Sequence, residues 1–449
     1  MSYEKFKMSR RDFLKLSGLS LGGSFLAACG GQATTEAVKE AATAVPAAAT
    51  EVLAAAEPVT LRYIHWWCEG DAHTDTLAWQ FDEFQKRNPD ITLESVCVPG
   101  EAPDKVAAEC AAGDCPEIVN WASGAQAEEG QLLDITDWMM KNEARFIWQP
   151  ETIQMKVNGK MYGWSAEFGT VPQIWNTRLL EAAGVSDIPM TWEDLLVAAE
   201  KLWANGIAWA STTWTYGYFN QFIPQIPGGF DAWWEAGQTG VWDTPEIRDI
   251  GMKIGEKLLQ ALPYTLPSDA EDDWDAAVAL FISEQTASEN NGPWTIGGDL
   301  TSEGAAEGLL DVCVAAPWPK AFDLGPSTEM DTYTMIGASA AAAENPAVEE
   351  AVYKLFDWWI SPEVAQRYIS EAQSPLGVTE PITPDLAGRL LSEFYTSADE
   401  ANSFLTGVFA MPNVGDPWSA PIDYVKALHA GMSPEEATDI WIQEMTPAA

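Results

Sequence analysis

Trp66, Trp67, Trp121, Trp214, Trp294 and Trp418 stand in predicted loops or at predicted strand ends, where an aromatic plane can be offered to a ligand. The chain holds 22 tryptophans, more than a core calls for, because Trp is large and seldom fully buried. Glu69 and Asp71 follow the first pair, and Ser123 follows Trp121. A sugar ring has an apolar face of C–H groups and an equatorial rim of hydroxyls. It is held by an aromatic face together with carboxylates, amides and backbone groups around the rim. An ionised carboxylate can accept from two adjacent hydroxyls. The same residue types could cage an organic cation such as a polyamine. Two carboxylates about 5 to 10 Å apart could instead hydrolyse a glycosidic bond, but no nucleophile elbow, metal cluster or phosphate loop accompanies them.

For each of these tryptophans the competing role is core or lobe packing. With 67 acidic residues in the chain, any single carboxylate has a solvated surface role as its alternative. Trp79, Trp192, Trp203, Trp274, Trp358 and Trp359 fall in helical patterns and are expected to pack.

The elements that must position these side chains alternate. Residues 59–67 form a β-prone apolar strand, followed by a polar turn and a helix with Leu77, Phe81 and Phe84 on one face. Strands are expected at 91–98 and 117–121, with a helix at 105–112 between them. Such alternation predicts a parallel sheet covered on both faces, with ligands beyond the carboxyl ends of the strands. That places Trp66, Trp67, Glu69 and Asp71 at one strand mouth, and Asn120, Trp121 and Ser123 at another. Later helices are announced by Thr191-Trp192-Glu193-Asp194, Asn345-Pro346, Ser361-Pro362-Glu363 and Ser433-Pro434-Glu435-Glu436. The fold class is α/β with at least two lobes.

At the amino terminus, Ser9-Arg10-Arg11-Asp12-Phe13-Leu14-Lys15 precedes an apolar run that ends at Leu26-Ala27-Ala28-Cys29-Gly30. A twin-arginine pair before a short apolar region is an export address, and a thiol after small residues is a lipid attachment point. The run over 16–28 is shorter than the roughly 20 residues that cross a bilayer. Residues 1–28 are therefore read as a cleaved twin-arginine lipoprotein signal, and 29–57 as the lipidated Cys29 with an Ala-, Thr- and Glu-rich tether.

The formal charge is -43, and residues 1–28 carry more basic than acidic side chains, so the mature chain is more acidic still. Such a surface repels phosphate backbones, which excludes nucleic acid as a partner. It also disfavours anionic lipid, leaving the lipid on Cys29 as the membrane attachment. No cysteine spacing matches a zinc knuckle. In an exported protein the default is a disulfide. Cys110 and Cys115 bracket a turn, and Cys68 and Cys97 each follow a predicted strand. Of three possible connectivities, Cys110 with Cys115 and Cys68 with Cys97 is the expected one. Cys313 is expected as a buried free thiol.

Taken in order, several motifs resemble the extracellular solute-binding proteins of ATP-driven importers, in the carbohydrate-binding family that includes maltodextrin-binding proteins. They are Phe84-Gln85-Lys86-Arg87-Asn88-Pro89, Gly113-Asp114-Cys115-Pro116-Glu117-Ile118, Val157-Asn158-Gly159-Lys160-Met161-Tyr162-Gly163, Trp175-Asn176-Thr177, Asn291-Gly292-Pro293-Trp294 and Ser433-Pro434-Glu435-Glu436-Ala437. The resemblance covers nearly the whole mature chain. It implies a two-lobe periplasmic-binding-protein-like fold with a ligand cleft and hinge crossovers near 165–170, 332–338 and Val378. Lobe one would be 58–167 with 335–377, and lobe two 168–334 with 378–449. Trp121, Trp294 and Trp418 match positions where related proteins stack sugars, and Glu167 falls at a crossing between lobes. The family usually has Tyr-Asn-Lys where Trp175-Asn176-Thr177 stands.

What the resemblance implies is a monomeric binder, without cofactor, that delivers a sugar to importer membrane subunits from the outer face of the cytoplasmic membrane. If Cys29 carries the anchor, Cys29→Ser should release the protein from membranes with ligand affinity unchanged, measured by membrane fractionation and titration. Retention of that variant on membranes would refute the anchor.

Overall fold

β1 (Val59–His65) is a central strand, with Leu61 and Tyr63 wholly buried. It lies between β2 (Ile91–Cys97) and β3 (Ile118–Asn120), both parallel to it. Parallel neighbours need a crossover, and α1 (Ala72–Arg87) supplies the first. Its Leu77, Phe81 and Phe84, spaced to share one helical face, are buried against the sheet. α2 (Ala102–Ala111) supplies the second, turning Val106 and Cys110 into a separate cluster with Ile64 and Val119. This computed structural model describes residues 58–447 apart from 69–71, 100–101, 147–154, 213–214, 267–273, 384, 406–410, 412 and 418. The export signal, Cys29 and the tether lie outside the described residues. Among the described residues, no helix is long and apolar enough to cross a membrane.

After β3 the chain departs from the expected all-parallel sheet. β4 (Met155–Val157) and the long β5 (Lys160–Val171) pair with each other antiparallel. Beyond Pro172, β6 (Gln173–Asn176) belongs to a second sheet with β7 (Ser288–Asn290) and β8 (Cys313–Ala316), antiparallel on both sides. The long β9 (Ser327–Ala338) returns from that sheet to the first, with β10 (Asn402–Leu405) beside its beginning. The orders are β2-β1-β3-β9-β5-β4 and β7-β6-β8. The physical reason for the reversal is the route of β9. It arrives at the carboxyl mouth of β3, Asn120 opposite Ile336, and so must run against β3. β5 and β9 pair antiparallel from Gly163 opposite Gly337 to Val171 opposite Glu329, with register shifts on both sides of Glu167.

Two cores follow. Around the first sheet, Tyr63, Phe81, Trp164 and Trp359 meet edge to face at centroid distances of 5.4 to 5.8 Å. Around the second, α3 (Trp192–Ala204), α4 (Thr215–Phe222) and α5 (Pro245–Ala261) enclose Trp175, Trp192, Trp209, Tyr218 and Trp318. The Trp318 Nε1–H donates to the Val171 carbonyl at 2.7 Å, tying the end of β5 to this core. Then come α6 (Trp294–Gly297), α7 (Pro346–Trp359), α8 (Arg389–Glu400), α9 (Ser419–His429) and α10 (Pro434–Met445).

The helix starts read from the sequence carry their caps. The Thr191 hydroxyl accepts from the Asp194 N–H at 3.1 Å and Asn345 from Ala347 at 3.1 Å; Ser433 and Glu436 close a reciprocal capping box. Trp203, expected to pack, is 44% exposed. The buried stripe of α3 is Leu195, Ala198, Ala199 and Leu202, and the residue after Leu202 is rotated about 100° around the helix, off that stripe. The side chain of Trp274 lies outside the described residues. Cys68 is joined to Cys97 and Cys110 to Cys115, while Cys313 is free and buried.

Trp359→Ala should remove about 3 to 5 kcal/mol of stability, read as a lowered urea midpoint at constant slope. His65 is buried on β1, and burial lowers its pKa from 6.5 to about 4. Between those values the unfolded chain binds a proton that the native chain refuses, so stability falls as pH drops through that window. His65→Gln should flatten this loss by about 2 kcal/mol between pH 7 and 4, measured by urea unfolding at both. An unchanged pH slope would show that His65 does not contribute.

Candidate ligand site between the two sheets

At the carboxyl end of β1, Trp66 is 38% exposed. Its ring centroid lies 4.3 Å from that of Trp121, at the end of β3, tilted by 56°. Trp121 has φ of 53°, a left-handed conformation that a bulky side chain adopts only under constraint. Such strain, of order 1 to 3 kcal/mol, gathers at functional sites. The constraint is visible in Asn120, which is wholly buried. Its Oδ1 accepts from the Trp121 N–H at 3.1 Å, while its Nδ2 donates to the Ile64 carbonyl at 3.4 Å. The turn that swings the Trp121 indole toward Trp66 is thereby tied to β1.

Trp67 is partly buried. It stacks with His73 at 4.5 Å and with His65 at 6.0 Å, and its ring is 6.4 Å from Trp121. Its aromatic surface is used inside the protein, behind Trp121. His65 is itself placed by Ser95 of β2, whose Oγ is 2.7 Å from Nε2. The Cys68–Cys97 bond follows immediately and joins the ends of β1 and β2, so the chain carrying both tryptophans is clamped at its exit.

A further candidate, Trp294, follows the second sheet. β7 ends at Asn290 and leads through Asn291-Gly292-Pro293 into α6. The Trp294 ring lies on Gly292, where an added Cβ would collide with Cη2. No residue but glycine leaves the indole in that place. α6 packs against α1 and the π-turn Tyr368–Ala372, so this loop reaches elements of the first sheet. Beside it, Gln173, Gln221, Asn290 and Asn291 are buried polar side chains. Glu289, on the other face of β7, is also buried; burial first, then Asp299, pushes its carboxyl well above the usual range. Its Oε1 and the Asp299 Oδ2 are 3.5 and 3.0 Å from the Thr295 Oγ1.

The structure thus brings Trp66, Trp67 and Trp121 together and sets Trp294 on an element packed against the same lobe. Ser123 is placed differently. Its hydroxyl accepts from the Gln126 N–H at 3.3 Å and its own N–H donates to Gln126 Oε1 at 2.9 Å, which is a helix cap. Glu69, Asp71, Trp214 and Trp418 lie outside the described residues, as does the side chain of Glu167, whose backbone sits in β5 opposite Thr334. Gln173, Asn290 and Asn291 were missed. The available signal was an amide amid the strand-like run Val171-Pro172-Gln173-Ile174-Trp175, a polar group that a buried strand tolerates only for a reason.

The sequence profile described as bacterial extracellular solute-binding protein matches residues 70–366. The arabinooligosaccharide-binding protein of Bacillus subtilis is 27% identical over 147 residues, 30% of this chain and 34% of that protein, so the match spans about a third of that relative's length. A solved chitin oligosaccharide binding protein superposes with a TM-score of 0.68 at 20% identity, over 86% of this chain and 98% of the other. The maltose/maltodextrin-binding domain MalE from Bdellovibrio bacteriovorus, bound to maltotriose, gives 0.65 at 19% identity, over 86% and 98%. These likenesses show the fold, which is α/β and two-lobed. With more than half of its residues matched by the profile, the chain belongs to the bacterial extracellular solute-binding proteins, which work outside the cytoplasm.

Proposed function

We propose that this protein captures a sugar or oligosaccharide outside the cytoplasm and delivers it to an ATP-driven importer, held to the membrane by a lipid on Cys29. The observation that carries the reading is the Trp66–Trp121 pair. An exposed indole is set 4.3 Å from a second indole whose backbone is held at positive φ, and aromatic planes of this kind match the C–H face of a pyranose or furanose ring. The named relatives support the same ligand class: the proteins similar to this one are named for arabino-oligosaccharides and chitin oligosaccharides, or are bound to maltotriose.

In this reading 58–167 with 335–377 form lobe one, and 168–334 with 378–449 lobe two. Trp66 and Trp121 stack the ligand from lobe one, backed by Trp67, and Trp294 meets it from lobe two. Glu69, Asp71, Glu167, Trp214 and Trp418 are proposed to complete the cleft. The register shifts flanking Glu167 in β5 loosen the ladder where the lobes would swing, and the ligand favours the closed state because both walls engage it only there.

A thermal-shift panel of arabinotriose, chitotriose, maltotriose, raffinose and spermidine tests the reading. A sugar at 100 times its Kd should add about 2.7 kcal/mol of stability. Stabilisation by spermidine alone would assign the cleft to cations instead. Trp121→Gly suits the positive φ while removing the indole, so it should preserve the melting temperature and weaken binding of the stabilising sugar at least about tenfold. Unchanged affinity by isothermal titration would remove Trp121 from the site.

A further inference from the structure

Gln173 is wholly inaccessible, yet neither its Nε2 nor its Oε1 has a hydrogen-bond partner among the described residues. Burying an unpaired amide is unfavourable, and folded proteins rarely leave one in that condition. Asn290 stands directly opposite it in the antiparallel β6–β7 pair, and its Nδ2 is likewise unpartnered. Residues opposed in this way project to the same face of a sheet, with Cβ atoms about 5 Å apart. α4 closes on the same point, since a Cβ added to Gly217 would meet Asn290 Nδ2 at 2.6 Å. One helical turn later, Gln221 donates from Nε2 to Glu329 Oε2 at 2.7 Å and leaves its own Oε1 without a partner. All of this lies where the second sheet receives the β5–β9 ribbon, because Val171, two residues before Gln173, pairs with Glu329.

We infer that Gln173, together with Asn290 and Gln221, forms a hydroxyl-reading subsite on the second-sheet side of the cleft, specific for the rim of a neutral sugar unit. The inference rests on the sugar-binding reading above and adds to the tryptophans the groups that select among ligands. A sugar hydroxyl both donates and accepts, and so does a primary amide. Gln173 can donate from Nε2 to one hydroxyl oxygen while Oε1 accepts from the next. An ammonium group only donates, so it would satisfy Oε1 and leave the Nε2 and Asn290 Nδ2 donors stranded. Of the two carboxyls nearby, Glu289 points to the other face of β7, and Glu329 accepts from Gln221 Nε2 at 2.7 Å. Gln173, Gln221 and Asn290 are closed to solvent, so a ligand reaches them only when the lobes part.

Replacing an amide that has no protein partner leaves no other group unpaired. Gln173→Met, of similar length and without polar atoms, should therefore keep or raise the melting temperature of the full mature chain. It should also weaken binding of the best sugar among arabinotriose, chitotriose, maltotriose and raffinose by tenfold or more, measured by isothermal titration. Should Gln173→Met fail to fold, Asn290→Asp, which keeps the shape and removes the unpartnered donor, is expected to show the same tenfold loss. Wild-type affinity in whichever variant folds, or a lowered melting temperature with affinity intact, would overturn the subsite while leaving sugar binding in place. If none of the four sugars binds the wild-type protein, both readings fall.

Discussion

The rest of the molecule depends on one piece of backbone pairing, the antiparallel ladder between β5 and β9. These strands carry the chain out of the first sheet and back into it, and their hydrogen bonds run from Gly163–Gly337 to Val171–Glu329. Because both strands span the gap between the two cores, the ladder sets how far apart the walls of the cleft can stand. It is anchored at the far end by Trp318, donating to Val171, and at the near end by Trp164, buried among Trp138, Phe356 and Trp359. Between these anchors the register breaks on both sides of Glu167. An interrupted ladder twists and bends more readily than a regular one, which is why the proposed function puts the hinge there.

The two walls that this ribbon separates are built by different means. On the first sheet, aromatic rings are held by unfavourable backbone geometry at Trp121, by the Asn120 tie to β1 and by a disulfide one residue beyond Trp67. On the second, amides are buried against a strand pair and a helix with part of their hydrogen-bonding capacity unused. Both arrangements sacrifice stability locally, and both are affordable only because large cores lie behind them. The first core surrounds Tyr63 and Trp359, the second Trp175 and Trp192. In the proposed function, the unpaired polarity is what a bound ligand would relieve.

The scarcity of cations in so acidic a chain gives the few arginines structural tasks. Arg389 donates from Nη2 to the Leu310 and Cys313 carbonyls at 2.9 and 2.8 Å, joining α8 to β8. Arg145 donates to the Ile360 carbonyl at 2.6 Å, and Arg87 reaches Glu363 at 2.8 Å while lying over the Trp358 ring. Surface ion pairs contribute little individually, but these hydrogen bonds to carbonyls hold together segments far apart in sequence.

Local patterns were legible from the residues alone. Leu77, Phe81 and Phe84 announced α1, and Thr191, Asn345 and Ser433 announced three helix starts. The spacing of Cys68, Cys97, Cys110 and Cys115 suggested the pairing that the structure contains. These succeed because capping and amphipathic burial are decided within a few residues. Trp66 and Trp121 could be named as candidates because their positions at strand ends follow from such local elements. The parallel sense of β1, β2 and β3 followed from the alternation, but that of β9 could not be read, because β9 and β3 are more than 200 residues apart and their antiparallel sense depends on the path of everything between. The same holds for Ser123, whose hydroxyl looks free in sequence and is taken by Gln126 in the fold, and for Gln173, which is an ordinary polar residue until Asn290 and α4 close around it. Sequence by itself determined which residues could stack, cap or cross-link; the tertiary structure alone decided which of them meet, because long-range contacts are fixed by the joint packing of the two cores and not by any short stretch of chain.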